Sequence, residues 1–278
     1  MKVAVLSGKG GAGKTFVAVN LAATAQDAVY IDCDVEEPNG RLFLKPEKLA
    51  EQIVTTPLPA FDREKCTGCR KCVDFCRFHA LVYIKGKPKV FPEVCHACGG
   101  CQMVCPAAAI TETAVRVGVV EQGDHGKTRV VTGVLDIGEA SGVPVIAAAL
   151  QAGKNEKNTV VIDCPPGSAC SVMESVSEAD YCVLVAEPTA FGFHNFKMVY
   201  ELVRLLKKPC GVVINKMDAP YEPLEGFCRE NAVPVLARIP YREETARLCA
   251  AGTVLSEADD ETAAMFRSLW QQIGGVYQ

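Results

Sequence analysis

The stretch "MKVAVLSGKGGAGKT", Met1 to Thr15, decides the fold. Lys2 to Ser7 is a short apolar run that ends in a small residue and opens into glycines. That is the sequence of a buried strand feeding a tight loop. Gly8 to Thr15 then read G-x-x-x-x-G-K-T. In this pattern glycines let backbone N–H groups curl around phosphate oxygens, and the next helix presents its positive end to the same anion. "TFVAVNLAATA" (Thr15–Ala25) has the composition and length of that helix. Gly8, Gly10, Gly11, Ala12 and Gly13 form the expected cradle, with Lys14 placed to reach the β- and γ-phosphates and the Thr15 hydroxyl to ligate Mg²⁺. The plain alternative is a glycine-rich turn of no function, and the strand-before, helix-after context argues against it.

The format of the first strand recurs. "AVYIDCD" (Ala28–Asp34), "TVVIDCPPG" (Thr159–Gly167), "YCVLVAEP" (Tyr181–Pro188) and "CGVVINK" (Cys210–Lys216) are β-branched runs ending in polar or turn residues. Helical segments are expected at 194–207, 243–251 and 261–273. Continuous apolar strands alternating with helices predict an α/β fold, a parallel sheet covered by helices on both faces. The 278 residues suffice for one such domain and a smaller one, and 49% hydrophobic with 22% charged residues is ordinary for a globular chain. Net charge is −4, and the absence of a dense basic patch argues against a nucleic-acid partner. No apolar run reaches the roughly 18 residues of a membrane span. The first residues enter a strand at once, without a leader-like series. The expectation is a cytoplasmic protein with no membrane partner.

The alternation breaks between about Thr55 and Ala114. "TTPLPAFDREK" (Thr55–Lys65) reads as a proline-bearing connector. An internal repeat follows: "CTGCRKCVDFCRFHAL" from Cys66 and "CHACGGCQMVCPAAAI" from Cys95 align cysteine for cysteine. The expected organisation is a main domain at 1–57 and 115–278 with a small α+β domain inserted at 58–114. After it, "VRVGVV" and "TRVVTGVL" flank the polar "EQGDHGK" and read as a β-hairpin.

Both repeats fit C-x2-C-x2-C-x3-C, the spacing of bacterial two-cluster ferredoxins. By the rule of that family, the fourth cysteine of each run serves the other cluster. One [4Fe–4S] cluster would take Cys66, Cys69, Cys72 and Cys105, and the second Cys95, Cys98, Cys101 and Cys76. Zinc is the alternative, since CxxC pairs often hold it, but zinc knuckles do not need a third step plus x3-C, duplicated. Cys105 is followed by the usual Pro106, whereas Cys76 is followed by Arg77. Arg70, Lys71 and Arg77 surround the first run, so the two clusters are expected to differ in potential. Fifteen cysteines in a chain read as cytosolic point to metal binding or redox chemistry, not disulfides. Most of the other seven are expected to be small buried residues. Cys170, seven residues past Asp163, is expected to be packing, with a bridging-cluster ligand as the alternative.

"KGGAGKT", with its extra Lys9, resembles the deviant phosphate loop of the MinD, ParA and nitrogenase iron-protein superfamily. "DCDVEEPN" (Asp32–Asn39) resembles its switch I and "VVIDCPPG" its Walker B and switch II, closest to the Mrp-type branch. "INKMD" (Ile214–Asp218) resembles the base-binding strand end. The resemblance covers the chain outside the insert. It implies that Lys9 reaches the partner subunit's nucleotide in a homodimer, that Asp34 orients the attacking water, that Asp163 holds Mg²⁺ through water and that Asn215 contacts the purine. It implies ATP, although N-K-x-D is also a guanine-reading motif. With the insert, the expectation is an ATPase that exchanges electrons with a redox protein partner. An iron–sulfur assembly or carrier protein of Mrp type is the second reading.

Overall fold

The structure is a computed structural model that describes residues 1–154 and 159–275. Its main sheet has nine strands in the order β11-β10-β9-β1-β8-β2-β7-β6-β3. These are β1 (Lys2–Ser7), β2 (Val29–Asp32), β3 (Glu47–Phe61), β6 (Ile110–His125), β7 (Thr128–Leu135), β8 (Val160–Asp163), β9 (Tyr181–Ala186), β10 (Cys210–Met217) and β11 (Val235–Pro240). Only β6 runs against the rest: it is antiparallel to both β7 and β3, and the other pairings are parallel. The parallel strands are buried on both faces, which is why their sequences are apolar throughout and do not alternate.

On one face lie α1 (Lys14–Thr24), α2 (Gly40–Leu44) and, near the C-terminus, α9 (Glu243–Ala250), α10 (Leu255–Ala258) and α11 (Asp260–Gly275). Phe16 and Leu21 of α1 meet Phe266, Leu269 and Ile273 of α11 in that core. The other face carries α5 (Val143–Ala152), α6 (Cys170–Val176), α7 (Ala190–Leu205) and α8 (Glu222–Glu230). Its core is built on Val145, Ile146, Phe196, Val199 and Leu224. Among the described residues, no helix is long and apolar enough to cross a membrane.

Two expectations change here. Thr55–Phe61 is not a connector: it is the second half of β3 and pairs residue by residue with β6. Pro57 and Pro59 are tolerated because β3 is the outermost strand, where a missing N–H on the open side costs no ladder bond. Likewise most of "EQGDHGK" is strand. Pairing continues to His125↔Thr128, leaving Gly126 and Lys127 as the turn. Glu121 and Gln122 point to opposite faces of the ribbon and keep the pairing because each is half-buried with an arginine partner, Arg41 and Arg129.

β3 and β6 therefore form a long two-stranded ribbon, and the residues between Phe61 and Ile110 sit at its tip. They form α3 (Lys71–Phe75), the hairpin of β4 (Leu81–Ile84) and β5 (Lys87–Val90), and α4 (Gly100–Met103). Their own small core is Cys72, Leu81 and Ile110.

Candidate functional site

The order β9-β1-β8-β2 puts four carboxyl strand ends side by side, the usual place for ligands in an open α/β sheet. The glycine loop follows β1, Asp163 ends β8, Asp34 follows β2 and Glu187 follows β9. The register Asp32↔Asp163 sets β2 and β8 level. A cleft of about 830 Å³ opens there, lined by Lys9, Gly10, Gly11, Gly13, Lys14, Thr15 and Asp34.

Lys14 is the centre of the site. Its ammonium donates to Asp163 Oδ1 at 2.6 Å and lies 3.4 Å from Asp34 Oδ2. Burial disfavours its charge, but the Asp163 and Asp34 carboxylates more than offset that and hold its pKa above the ordinary lysine value. Asp34 is raised, first by its own burial, with Lys14 opposing. The predicted Lys14, Asp34 and Asp163 are thus brought together, with Thr15 on the cleft wall.

Asn215 donates to the Ala12 carbonyl at 2.9 Å, so in this state it braces the glycine loop. Gly13 has φ of +94°, and a Cβ there would meet Asn215 Nδ2 at 2.0 Å. Only glycine serves at that position. Lys9 pairs with Glu187 of its own chain, and its ammonium lies 5.9 Å from the Phe191 ring centroid. Gly10 and Gly11 line the cleft with Gly13, whereas Gly8 and the buried Ala12 stand behind it.

Several participants escaped the sequence reading. The fully buried Tyr30 hydroxyl donates to Asp163 Oδ2 at 2.9 Å. Asp32 accepts from the backbone of Asp34 (3.1 Å) and of Gly40 (2.9 Å), closing the 34–39 loop from below. Burial, and then the Asp163 charge, push Asp32 up to about 8. Glu187 takes Lys216 at 2.8 Å as well as Lys9, and Lys216 also donates to the Gly11 carbonyl. The signal for Tyr30 was a hydroxyl in the apolar part of a buried strand. Lys216 and Glu187 face each other because β10 and β9 pair at Ile214↔Ala186, which no local pattern reveals.

The eight repeat cysteines separate into two cavities at the ribbon tip. One, of about 20 Å³, is lined by Cys66, Cys69, Cys72 and Cys105. The other, of about 70 Å³, is lined by Cys76, Cys95, Cys98 and Cys101. Each cavity mixes three cysteines of one repeat with the fourth of the other. Among the described residues, no three of His, Cys, Asp and Glu converge closely enough to hold a single metal ion. The thiols instead stand around a space, and such a donor set fits a polynuclear iron–sulfur group. Arg70 borders the first cavity and Arg77, next to Cys76, the second, so the basic residues of the first run are shared between the two cavities. His96 stacks on Phe78 beside the second cavity, ring centroids 3.8 Å apart.

Of the remaining cysteines, Cys33, Cys164, Cys182 and Cys228 are buried, while Cys210 and Cys249 are half-buried. Cys170 is exposed at the start of α6, so the packing role expected for it does not hold. The turn after Pro165–Pro166–Gly167 carries it clear of the core.

An uncharacterized protein of Methanocaldococcus jannaschii is 28% identical over 280 residues, covering 98% of this chain and 96% of that one. An uncharacterized ferredoxin of the same organism is 43% identical over 53 residues, 18% of this chain and 69% of its own. Among solved structures, the cell division ATPase MinD of Pyrococcus furiosus superposes with a TM-score of 0.62 at 17% identity, covering 99% of this chain and 98% of that one, a likeness of fold. The CobQ/CobB/MinD/ParA nucleotide binding domain matches residues 3–255, and the chain belongs to that family.

Proposed function

We infer that this protein binds and hydrolyses ATP and couples its nucleotide state to electron transfer through two [4Fe–4S] clusters. The observation that carries the reading is the pairing of two cysteine-lined cavities with a phosphate-loop cleft, joined by one ribbon of the same sheet. Family membership supports the nucleotide, and the likeness to MinD, a cell division ATPase, supports hydrolysis.

In this reading Lys14 and the loop amides neutralise the phosphates. Asp34 orients the attacking water, which phosphoryl transfer needs more than it needs a strong base. Thr15 and Asp163 would hold Mg²⁺, Asp163 exchanging its Lys14 contact as the lysine turns to phosphate. Lys9 would leave Glu187 and serve the nucleotide of a second copy in a homodimer. Cys66, Cys69, Cys72 and Cys105 would hold one cluster, and Cys76, Cys95, Cys98 and Cys101 the other. Bound there, the clusters would supply one-electron redox chemistry for exchange with a protein partner.

The 34–39 loop has physical links to the ribbon. Leu135 N–H donates to the Val35 carbonyl and Asp136 N–H to the Val117 carbonyl, each at 2.9 Å. Arg41, one residue past Gly40, pairs with Glu121 of β6 at 3.0 Å. A nucleotide that moves this loop therefore pulls on the strand leading to the cysteines. The test is voltammetry of anaerobically purified protein with and without Mg-ATP, alongside phosphate release. A shift of reduction potential with nucleotide is expected. Iron-containing protein whose potentials ignore ATP would defeat the coupling, and absence of iron would defeat the cluster reading.

A further inference from the structure

Charge is unevenly distributed along this chain. From Asp62 to Ala109, eight basic side chains stand against four acidic ones, net +4, in a chain whose total is −4, so the remainder carries −8. The fold gathers much of that excess beside the first cysteine loop. Arg70 and Lys71 leave the loop exposed. The turn of the β4–β5 hairpin packs on Gly68 of the same loop: a Cβ there would lie 2.8 Å from the Gly86 carbonyl oxygen and 2.9 Å from the Tyr83 hydroxyl. Lys85 and Lys87, which flank Gly86, are thereby brought to the same loop.

Tyr83 fixes the arrangement twice. Its hydroxyl donates to the Gly68 carbonyl at 2.6 Å, and the Arg70 guanidinium lies 5.0 Å from its ring centroid. Lys87 donates to the Arg63 carbonyl at 3.0 Å and to that of Cys66. Two acids border this group: Asp74, 3.8 Å from Arg70 with both side chains exposed, and Asp62, which pairs with Lys65 in the segment whose carbonyls Lys87 takes. Cys69 is itself exposed, so little protein covers the first cysteine set on this side. These cationic groups meet solvent around it.

We propose that this face, with Arg70, Lys71 and Lys85 around Cys69, is the docking surface for an acidic electron-carrier protein. The inference rests on the cluster reading above. Complementary charge raises association rates by about 10-fold to 1,000-fold at low ionic strength and suppresses wrong orientations. The acidic remainder of the chain repels the same partner, so the basic face selects where it lands as well as how fast.

The test uses oxidised flavodoxin, an acidic carrier, and the anaerobically purified full chain, with iron per chain measured before any carrier is added. Association is followed by biolayer interferometry at low and high ionic strength, for the wild type and a Lys71→Glu/Lys85→Glu variant. The wild-type association rate is expected to fall at least about tenfold as salt screens the encounter. At low salt the variant should bind no faster than the wild type does at high salt, with iron content and visible spectrum unchanged. Equal rates for both proteins, or no binding by iron-containing wild type, would overturn the docking face alone. Salt-sensitive self-association that the variant abolishes, without carrier binding, would also overturn it and give the face to a second copy's acidic part. Missing iron would overturn the cluster reading instead.

Discussion

The Tyr30 hydroxyl donates to Asp163 Oδ2 at 2.9 Å while the Lys14 ammonium holds Oδ1 of the same carboxylate at 2.6 Å. One buried aspartate is thus gripped from two sides, by a neutral and a charged donor. Neither grip is replaceable by water, since Asp163 and Tyr30 are fully buried.

Tyr30→Phe removes one donor and leaves the ring in place. A hydrogen bond to a charged group contributes about 1.5–3 kcal/mol, and that loss is expected in urea unfolding of the nucleotide-free protein. An unchanged midpoint would mean that the hydroxyl does not hold Asp163.

Lys14→Met should cost more. It leaves Asp163 and Asp34 facing each other without the cation, and breaking a buried pair from one side costs about 3–5 kcal/mol. ATP affinity, measured with a fluorescent analogue, should fall at least about tenfold, because the phosphates lose their closest countercharge. The two losses separate by comparison with Tyr30→Phe, which should weaken the fold without a comparable loss of binding.

Glu187→Gln should act in the opposite sense on nucleotide. Glu187 holds Lys9 and Lys216 in the free chain, and both lysines border the glycine loop. Releasing them should tighten ATP several-fold, while stability shifts by less than about 1 kcal/mol because the lysines are partly solvated. Lys9→Ala should cancel most of the gain when combined with it. Additive effects of the two changes would show that the pair is not coupled to binding.

Cys76→Ala probes the division of the two cavities. If Cys76 completes the set with Cys95, Cys98 and Cys101, iron per chain should drop by about half while the signal of the other cluster persists in electron paramagnetic resonance. Loss of the cluster bound by Cys66, Cys69 and Cys72 would reverse the assignment.

Thiol labelling adds an independent check. In iron-free protein, iodoacetamide should modify the exposed Cys69, Cys98 and Cys170 first. Cys33 and Cys164 should resist, since burial pushes their thiols up and out of the nucleophilic range. After iron loading only Cys170 should remain fast, as read by peptide mass spectrometry.

The parallel sheet, its phosphate loop and the hairpin that follows the cysteine repeat were legible because each is a local pattern. A strand buried on both faces shows as an apolar run, and a phosphate loop as spaced glycines. Pro57 and Pro59 misled because edge position, which makes proline acceptable in β3, is a property of the whole sheet. Tyr30, Asp32, Glu187 and Lys216 were missed for a related reason. Their meeting depends on the register of strands distant in sequence, Asp32 with Asp163 and Ile214 with Ala186. Cys170 was misjudged because burial depends on where a turn aims the chain.

Phe61 and Ile110 are directly opposed partners at the end of the β3–β6 ribbon. The two points where the cysteine-bearing segment leaves and rejoins the sheet are therefore one strand spacing apart, about 4.8 Å. A two-residue Asn-Gly turn can close that gap without altering the register below it. A chain with residues 62–109 exchanged for such a turn should keep every strand of the main sheet, and another module with closely spaced ends should be accepted in its place.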